Sequence, residues 1–334
     1  MKQDRKPYIL VARQLGGIGD VLALSCVFRG LREKYPEHTI KHVTANMYLG
    51  GALTDIASHN PYIDEIIVIE PYEGCSAKTK EVWGQYYGGC PAIEDELIWQ
   101  KADKAICLNT ACVNYEWGRL RDGKPIEKPR YQIWCEAALG DFIPSSYAPI
   151  YRITTEEQAR AEDIFRENGW LSGPVAGVGC AACDPKRGIP IDKTAEICDI
   201  LQRAGVRPIT VDATIKIKGI EGIIGQRIRD LVPLIQRMDA LVSVDSGLLH
   251  IAGAVGTPAI GIFGPTDYRM RMGNYLGSAT DSTKLMPCAP CWYSYPCRKD
   301  INPDRHFECL KKINADVIVE ETLRWIKRSG KLDS

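Results

Sequence analysis

Four groups of residues in this 334-residue chain have the types and the spacing to do chemistry. The densest is Asp245-Ser246-Gly247, with His250 one helical turn further on. It follows an apolar run, Leu241 to Val244. A second apolar run, Ala259 to Phe263, leads into Gly264-Pro265-Thr266-Asp267. A strand that feeds its carboxyl end into a helix amino terminus gathers unpaired N–H groups and the positive end of the helix dipole, and both favour an anion. Ser246 suits the N-cap, and His250 shares that face of the helix. The group reads as a phosphate or diphosphate cradle; an N-capped turn of an ordinary βαβ unit is the plainer alternative.

The second group is Gly16-Gly17-Ile18-Gly19-Asp20, between the short buried strand Tyr8 to Ala12 and an amphipathic helix expected over Val21 to Tyr35. It is not a dinucleotide fingerprint: counted from Gly17 and Gly19, the third glycine position is Leu22. Nor does a phosphate-loop G-x-x-x-x-G-K-[ST] occur anywhere. Gly17 and Gly19 instead let a ligand approach the backbone, with Asp20 exposed at the first helical turn. Asp20 reads equally as a catalytic carboxylate and as a helix cap. The third group is Lys186-Arg187, after the strand Pro174 to Gly179, where open α/β sheets hold ligands; a solvated loop charge is the alternative for either residue. The fourth is Cys288, Cys291, Cys297 and Cys309, a C-x2-C-x5-C-x11-C arrangement stiffened by Pro287, Pro290 and Pro296. Four thiols suit tetrahedral ligation of a structural zinc or iron, and small buried hydrophobes are the alternative. With no open coordination position, such a metal would be structural.

The elements that must position these groups alternate strand and helix along the whole chain, which predicts parallel sheets. Its length favours two α/β domains. The stretch Asp141 to Pro149, with two prolines and two serines, is the natural linker. Residues 71–100 break the rhythm with Trp83, Tyr86, Tyr87 and an acidic knot at Glu94-Asp95-Glu96, and read as a segment for acceptor recognition or as a packed insertion. Asp192 is expected to cap a helix over Lys193 to Ala204. A last amphipathic helix is expected over Ala315 to Lys327.

Composition narrows the partners. Forty-two basic and forty-two acidic side chains cancel, so no global field draws the chain to nucleic acid or to an anionic membrane. No apolar run approaches the roughly 20 residues of a membrane span, and stable membrane insertion is not expected. Thirteen scattered cysteines without a secretion signal point to a reducing, cytoplasmic setting.

The chain resembles glycosyltransferase family nine, the heptosyltransferase family of the lipopolysaccharide inner core. Three stations carry the resemblance. Gly16-Gly17-Ile18-Gly19-Asp20-Val21-Leu22 is similar to the family's amino-terminal GDVL segment. Lys186-Arg187 followed by Pro190 approximates its K-x-W-P element, with Gly188 and Ile189 in place of the single Trp. Asp245-Ser246-Gly247-Leu248-Leu249-His250-Ile251-Ala252 with Phe263-Gly264-Pro265-Thr266-Asp267 resembles its DSG-x-x-H-x-A and FGPTD signature.

The resemblance implies a GT-B architecture, with two Rossmann-like domains facing across a cleft. The acceptor domain would span 1–148 and the donor domain 149–313, the latter with a Cys-rich loop at 286–310. A carboxyl-terminal helix, 314–334, would pack back toward the first domain. It further implies inverting transfer of a sugar, heptose or a relative, from a nucleotide-diphosphate donor (ADP-heptose by family default) to a glycan or other hydroxyl acceptor. Asp20 would be the general base. Gly17, Gly19, Lys186, Asp245, Ser246, Gly247 and His250 would serve the donor, and no catalytic metal is expected. A non-catalytic nucleotide-sugar binder and a Rossmann-type epimerase or oxidoreductase are the alternatives. The residues leave the sugar, the base of the nucleotide, the acceptor and the oligomeric state open.

Overall fold

The computed structural model describes residues 6–13, 16–45, 52–69, 102–182, 187–212, 216–292, 307–330 and 332. Lys186, Cys297 and the segment 71–100 lie outside the described residues. The chain divides into two compact units, Met1–Arg152 and Ile153–Ser334.

In the first unit the described strands are β1 (Tyr8–Ala12), β2 (Thr39–Ala45), β3 (Glu65–Ile69) and β4 (Lys104–Cys107). They form one sheet in the order β3-β2-β1-β4, with every pair parallel. The helices are α1 (Ile18–Ala23), α2 (Ser25–Lys34), α3 (Ala52–Ser58), α4 (Ala111–Arg121) and α5 (Arg130–Leu139). β1 is buried along its whole length, as the sequence YILVA requires of a parallel strand covered on both faces. Its core partners include Val27, Phe28 and Leu31 from α2 and Trp134 from α5.

The helix expected over Val21 to Tyr35 is two helices that meet at Leu24. Ser25 accounts for the break. Its hydroxyl donates to the Leu22 carbonyl at 2.6 Å and accepts the Ile150 N–H at 3.1 Å, which ties the start of α2 to a segment 125 residues away. The Pro/Ser stretch expected to be a linker is fastened to this unit as well. Arg29 Nη1 donates to the Ser146 and Ala148 carbonyls at 2.6 and 3.2 Å.

The second unit holds β5 (Val175–Gly179), β6 (Arg207–Asp212), β7 (Glu221–Ile224), β8 (Ala240–Val244), β9 (Ala259–Ile262) and β10 (Gly277–Ala279). These form a parallel sheet in the order β10-β9-β8-β5-β6-β7. Read from the other edge this is the doubly wound 3-2-1-4-5-6 order, whose switch point lies between β5 and β8. The helices are α6 (Thr155–Glu167), α7 (Ile191–Arg203), α8 (Ile228–Arg237), α9 (Gly247–Val255), the short α10 (Glu308–Lys311) and α11 (Ala315–Arg328). Pro190, not Asp192, is the N-cap of α7, and Asp192 sits inside its first turn. There a carboxylate complements the helix dipole.

The closing helix α11 commits its apolar stripe within this unit. Ile318, Val319 and Ile326 join Ile197, Leu201, Val242 and Ile260 in one core, against α7 and β8. No helix among the described residues is long and apolar enough to cross a membrane.

Candidate active site

In the second unit, the switch point brings two loop starts together. β8 ends at Val244, and Asp245 and Ser246 form the turn into α9. β5 ends at Gly179, where an added Cβ would run into Leu248 of α9. The bare glycine lets the first turn of α9 lie against β5. Ser246 occupies the N-cap in an extended conformation, φ −142° and ψ 174°, but makes no side-chain capping bond. Its hydroxyl lies 3.1 Å from that of Ser243 instead. The first amides of α9 are therefore not capped by this side chain, which suits an anion site better than the capped turn read from sequence.

Asp245 is buried, at 4 % exposure, so its carboxylate needs partners. Thr266 Oγ1 donates to Asp245 Oδ2 at 2.8 Å, and Arg187 Nη1 lies 3.8 Å from Oδ1. Asp245 thus joins the turn after β8 to the loop after β9 and to the loop after β5. The Thr266 loop is braced independently: Ser282 Oγ donates to the Thr266 carbonyl at 3.2 Å and the Trp292 N–H to the Pro265 carbonyl at 2.8 Å. Asp267 caps a short 3-10 turn and accepts from the Arg269 side chain.

His250 has a partner that local reading could not supply. Its Nδ1 lies 2.5 Å from the Tyr275 hydroxyl, and the rings meet edge-on at 5.7 Å. Gly253 makes room for that ring, since a Cβ there would sit 2.7 Å from it. The ring nitrogen and the hydroxyl share one hydrogen, and where the hydroxyl donates to Nδ1, His250 carries its proton on Nε2.

In the first unit, α1 follows the carboxyl end of β1. Asp20 is its third residue, and the side chain is only 16 % exposed, against the exposure expected from sequence. The cause is ion pairing. Arg130 Nη1 donates to Asp20 Oδ1 at 3.0 Å, and Arg13 Nη2 lies 3.4 Å from Oδ2. Oδ2 also accepts the Gly17 N–H at 3.2 Å, so the capping role and the ion-pair role coexist in one carboxylate.

Arg13 is buried and donates through Nη1 to the Leu108 and Asn109 carbonyls at 3.2 and 2.5 Å, which bridges the carboxyl ends of β1 and β4. Gly16 closes the turn at φ +124°, where any side chain is strained and a Cβ would lie 2.5 Å from the Asp20 carboxylate. Among the described residues, nothing lies within 4 Å of a Cβ at Gly17.

Arg130 is also gripped by Glu116, with Nε to Oε1 at 2.8 Å and Nη2 to Oε2 at 2.9 Å. Burial works against the Arg130 charge, yet Asp20 and Glu116 more than offset it and hold its pKa above the usual arginine range. Neighbouring Cys112 is pushed up by burial and stays a neutral thiol.

The cysteine group is not assembled among the described residues. Cys288 is exposed, Cys291 half-buried and Cys309 buried. Cys309 belongs to the apolar core, with its sulfur where a Cβ on Gly264 would come within 2.8 Å. No group of three or more His, Cys, Asp or Glu among the described residues is placed to hold a metal. Cys297, the third thiol of the spacing, lies outside the described residues.

The model of glycosyltransferase family 9 (heptosyltransferase) matches residues 225–298, which contain the whole β8–α9–β9 cradle. No curated protein matches. Among solved structures, a family 9 glycosyl transferase from Veillonella parvula is similar over 98% of this chain and 99% of its own, at 15% identity and TM-score 0.70. The E. coli ADP-heptose LPS heptosyltransferase II is similar over 97% and 99%, at 16% identity and TM-score 0.65. The iron-containing dodecameric glycosyltransferase TibC of enterotoxigenic E. coli is similar over 98% of this chain and 78% of its own, at 15% identity and TM-score 0.60. Another structure shows TibC in complex with ADP-D-β-D-heptose. At such identities the likeness is one of fold, and the fold is that of the GT-B glycosyltransferases. The family 9 match is confined to the segment that holds the β8–α9–β9 turn.

Proposed function

We propose that this enzyme moves a sugar, heptose or a close relative, from a nucleotide-diphosphate donor to a hydroxyl acceptor with inversion at the anomeric carbon. The observation that carries the reading is the α9 amino terminus. It sits at the carboxyl end of a switch-point strand, its Ser246 hydroxyl is turned to Ser243, and it lies within the family-matched segment. An ADP-sugar is the favoured donor, because heptosyltransferase II and TibC are described with ADP-heptose.

The leaving diphosphate would lie on the Ser246-Gly247 turn, with His250 Nε2–H and Lys186 donating to its oxygens. Bonds of this charged kind contribute roughly 1.5–3 kcal/mol each, and those that strengthen as the nucleotide gains charge lower the barrier. Asp245 braces the turn through Thr266 and Arg187 and does not meet phosphate, since like charges repel. In the first unit Asp20 would take the proton from the acceptor hydroxyl as that oxygen bonds to the anomeric carbon and the carbon–oxygen bond to the diphosphate breaks. Gly17 and Gly19 would admit the reactants close to the backbone.

Lipopolysaccharide core is the first acceptor to test, in a cytoplasmic setting. A structural iron or zinc on Cys288, Cys291, Cys297 and Cys309 belongs to the reading through their spacing and the iron-containing TibC. Stoichiometric metal in the purified protein would support it, and its absence would remove it. For the function itself the test is calorimetric titration of the full chain with ADP-, UDP-, GDP- and dTDP-sugars. Saturable binding of an ADP-sugar, weakened in His250→Ala, is expected. Failure of all four to bind would overturn the donor assignment.

A further inference from the structure

The first unit contains a charged residue that neither the donor cradle nor the proton transfer uses directly. Glu116 is buried in the middle of α4, where an unpaired carboxylate would be costly. It spends both oxygens on Arg130, Oε1 to Nε at 2.8 Å and Oε2 to Nη2 at 2.9 Å. That fork leaves one guanidinium nitrogen, Nη1, aimed at Asp20 Oδ1 at 3.0 Å.

We infer that Glu116 is a positioning residue for Asp20: by sharing Arg130 it aims the guanidinium at one Asp20 oxygen while keeping that carboxylate basic enough to accept a proton. The inference rests on the reading of Asp20 as the general base. Its physical content is a charge count. Among the described residues, Asp20 and Glu116 face Arg13 and Arg130, so these four charges cancel with Asp20 ionised and sum to one positive charge when Asp20 is protonated. Without the Glu116 charge, two guanidiniums would bear on one carboxylate, and opposite charges within about 4–6 Å hold a carboxyl in its ionised form. Asp20 would remain well placed and become a poorer base.

The other titratable groups around Asp20 do not duplicate this role. Cys112, on the same face of α4 as Glu116, is kept neutral by burial. Of the elements packed on α1, α3 carries Asp55 and is followed by His59, whose Nδ1 lies 2.8 Å from the Asp55 carbonyl. From α2, Cys26 donates to the Ala23 carbonyl and Arg29 donates to the Ser146 and Ala148 carbonyls.

The test is a titration of the Asp20 carboxyl carbon by NMR in the full chain, wild type against Glu116→Gln. The Asp20 midpoint is expected to fall by about 1 unit. The acidic limb of kcat/KM, followed as ADP release from ADP-heptose with deacylated lipopolysaccharide core, should move down with it and kcat should drop, while KM for the donor holds. An unchanged midpoint would overturn the inference. Should circular dichroism show Glu116→Gln to be unfolded, Arg130→Gln carries the test with the opposite sign. There the Asp20 midpoint must rise, and a fixed midpoint overturns the inference equally. Asp20→Asn separates the two ideas: wild-type turnover in that variant overturns the base reading itself, whatever the Glu116 titration shows.

Discussion

Thr266→Val removes one hydroxyl from the β8–α9 turn and preserves its shape. The hydroxyl donates to Asp245 Oδ2 at 2.8 Å, and Thr266 and Asp245 are 1 % and 4 % exposed. Water cannot readily replace the bond, and Arg187 at 3.8 Å is too far to substitute for it. A hydrogen bond to a charged group contributes about 1.5–3 kcal/mol, and stranding a buried carboxylate lies at the upper end, so a loss of about 2 kcal/mol is expected. The Thr266 backbone should stay in place, because Ser282 and Trp292 hold the loop through main-chain carbonyls. Urea unfolding of both proteins at pH 7 should show a lower midpoint with the slope unchanged. In a double-mutant cycle with Asp245→Asn, the two losses should fall short of additivity by about 1 kcal/mol or more. A Thr266→Val protein within about 0.5 kcal/mol of wild type, or two additive losses, would refute the claim that Asp245 braces the cradle through Thr266.

Two further outcomes follow from the same geometry. His42 is wholly buried in β2, with Nδ1 on the Val11 carbonyl at 3.1 Å and Nε2 buried with no hydrogen-bond partner among the described residues; desolvation lowers its pKa from 6.5 to about 4. Between those values the unfolded chain binds the extra proton. The stability due to neutral His42 is therefore complete above about pH 6.5 and lost as pH falls toward 4, by up to about 3 kcal/mol. Urea midpoints measured across that window should fall steeply for wild type and less for His42→Gln; parallel curves would dismiss His42 as the cause. Tyr275→Phe keeps the ring on Gly253 but frees the His250 tautomer, so ADP affinity should weaken by about 5- to 10-fold, the cost of one neutral hydrogen bond of about 1 kcal/mol. Nitrogen NMR should show mixed His250 tautomers in the variant, and a retained single tautomer would count against the Tyr275 role.

The β8–α9–β9 turn was legible because everything that makes it is local. Apolar strands, the turn residues Asp245-Ser246-Gly247 and the next strand follow one another within a single βαβ unit. The glycine turn before Asp20 was legible for the same reason. What surrounds each carboxylate was not. Arg130 reaches Asp20 from 110 positions away and Tyr275 meets His250 across 25, and pairings of that range leave no periodic trace. A partial signal existed in Cys112 and Glu116, which share one face of α4 at helical spacing and put a carboxylate on a buried stripe. The exposure expected for Asp20 failed on those unseen arginines. The single helix expected over Val21 to Tyr35 failed on Ser25, whose hydroxyl answers to Ile150.

The most direct measurement of the transfer mechanism is made on Asp20→Asn. The substitution keeps the shape of the side chain and removes the acid–base function. With ADP-heptose as donor and deacylated lipopolysaccharide core as acceptor, kcat should fall by about 100- to 10,000-fold, while donor affinity by calorimetry stays at the wild-type value. Undiminished transfer by Asp20→Asn, with donor bound as tightly as before, would contradict the assignment of Asp20 as the general base.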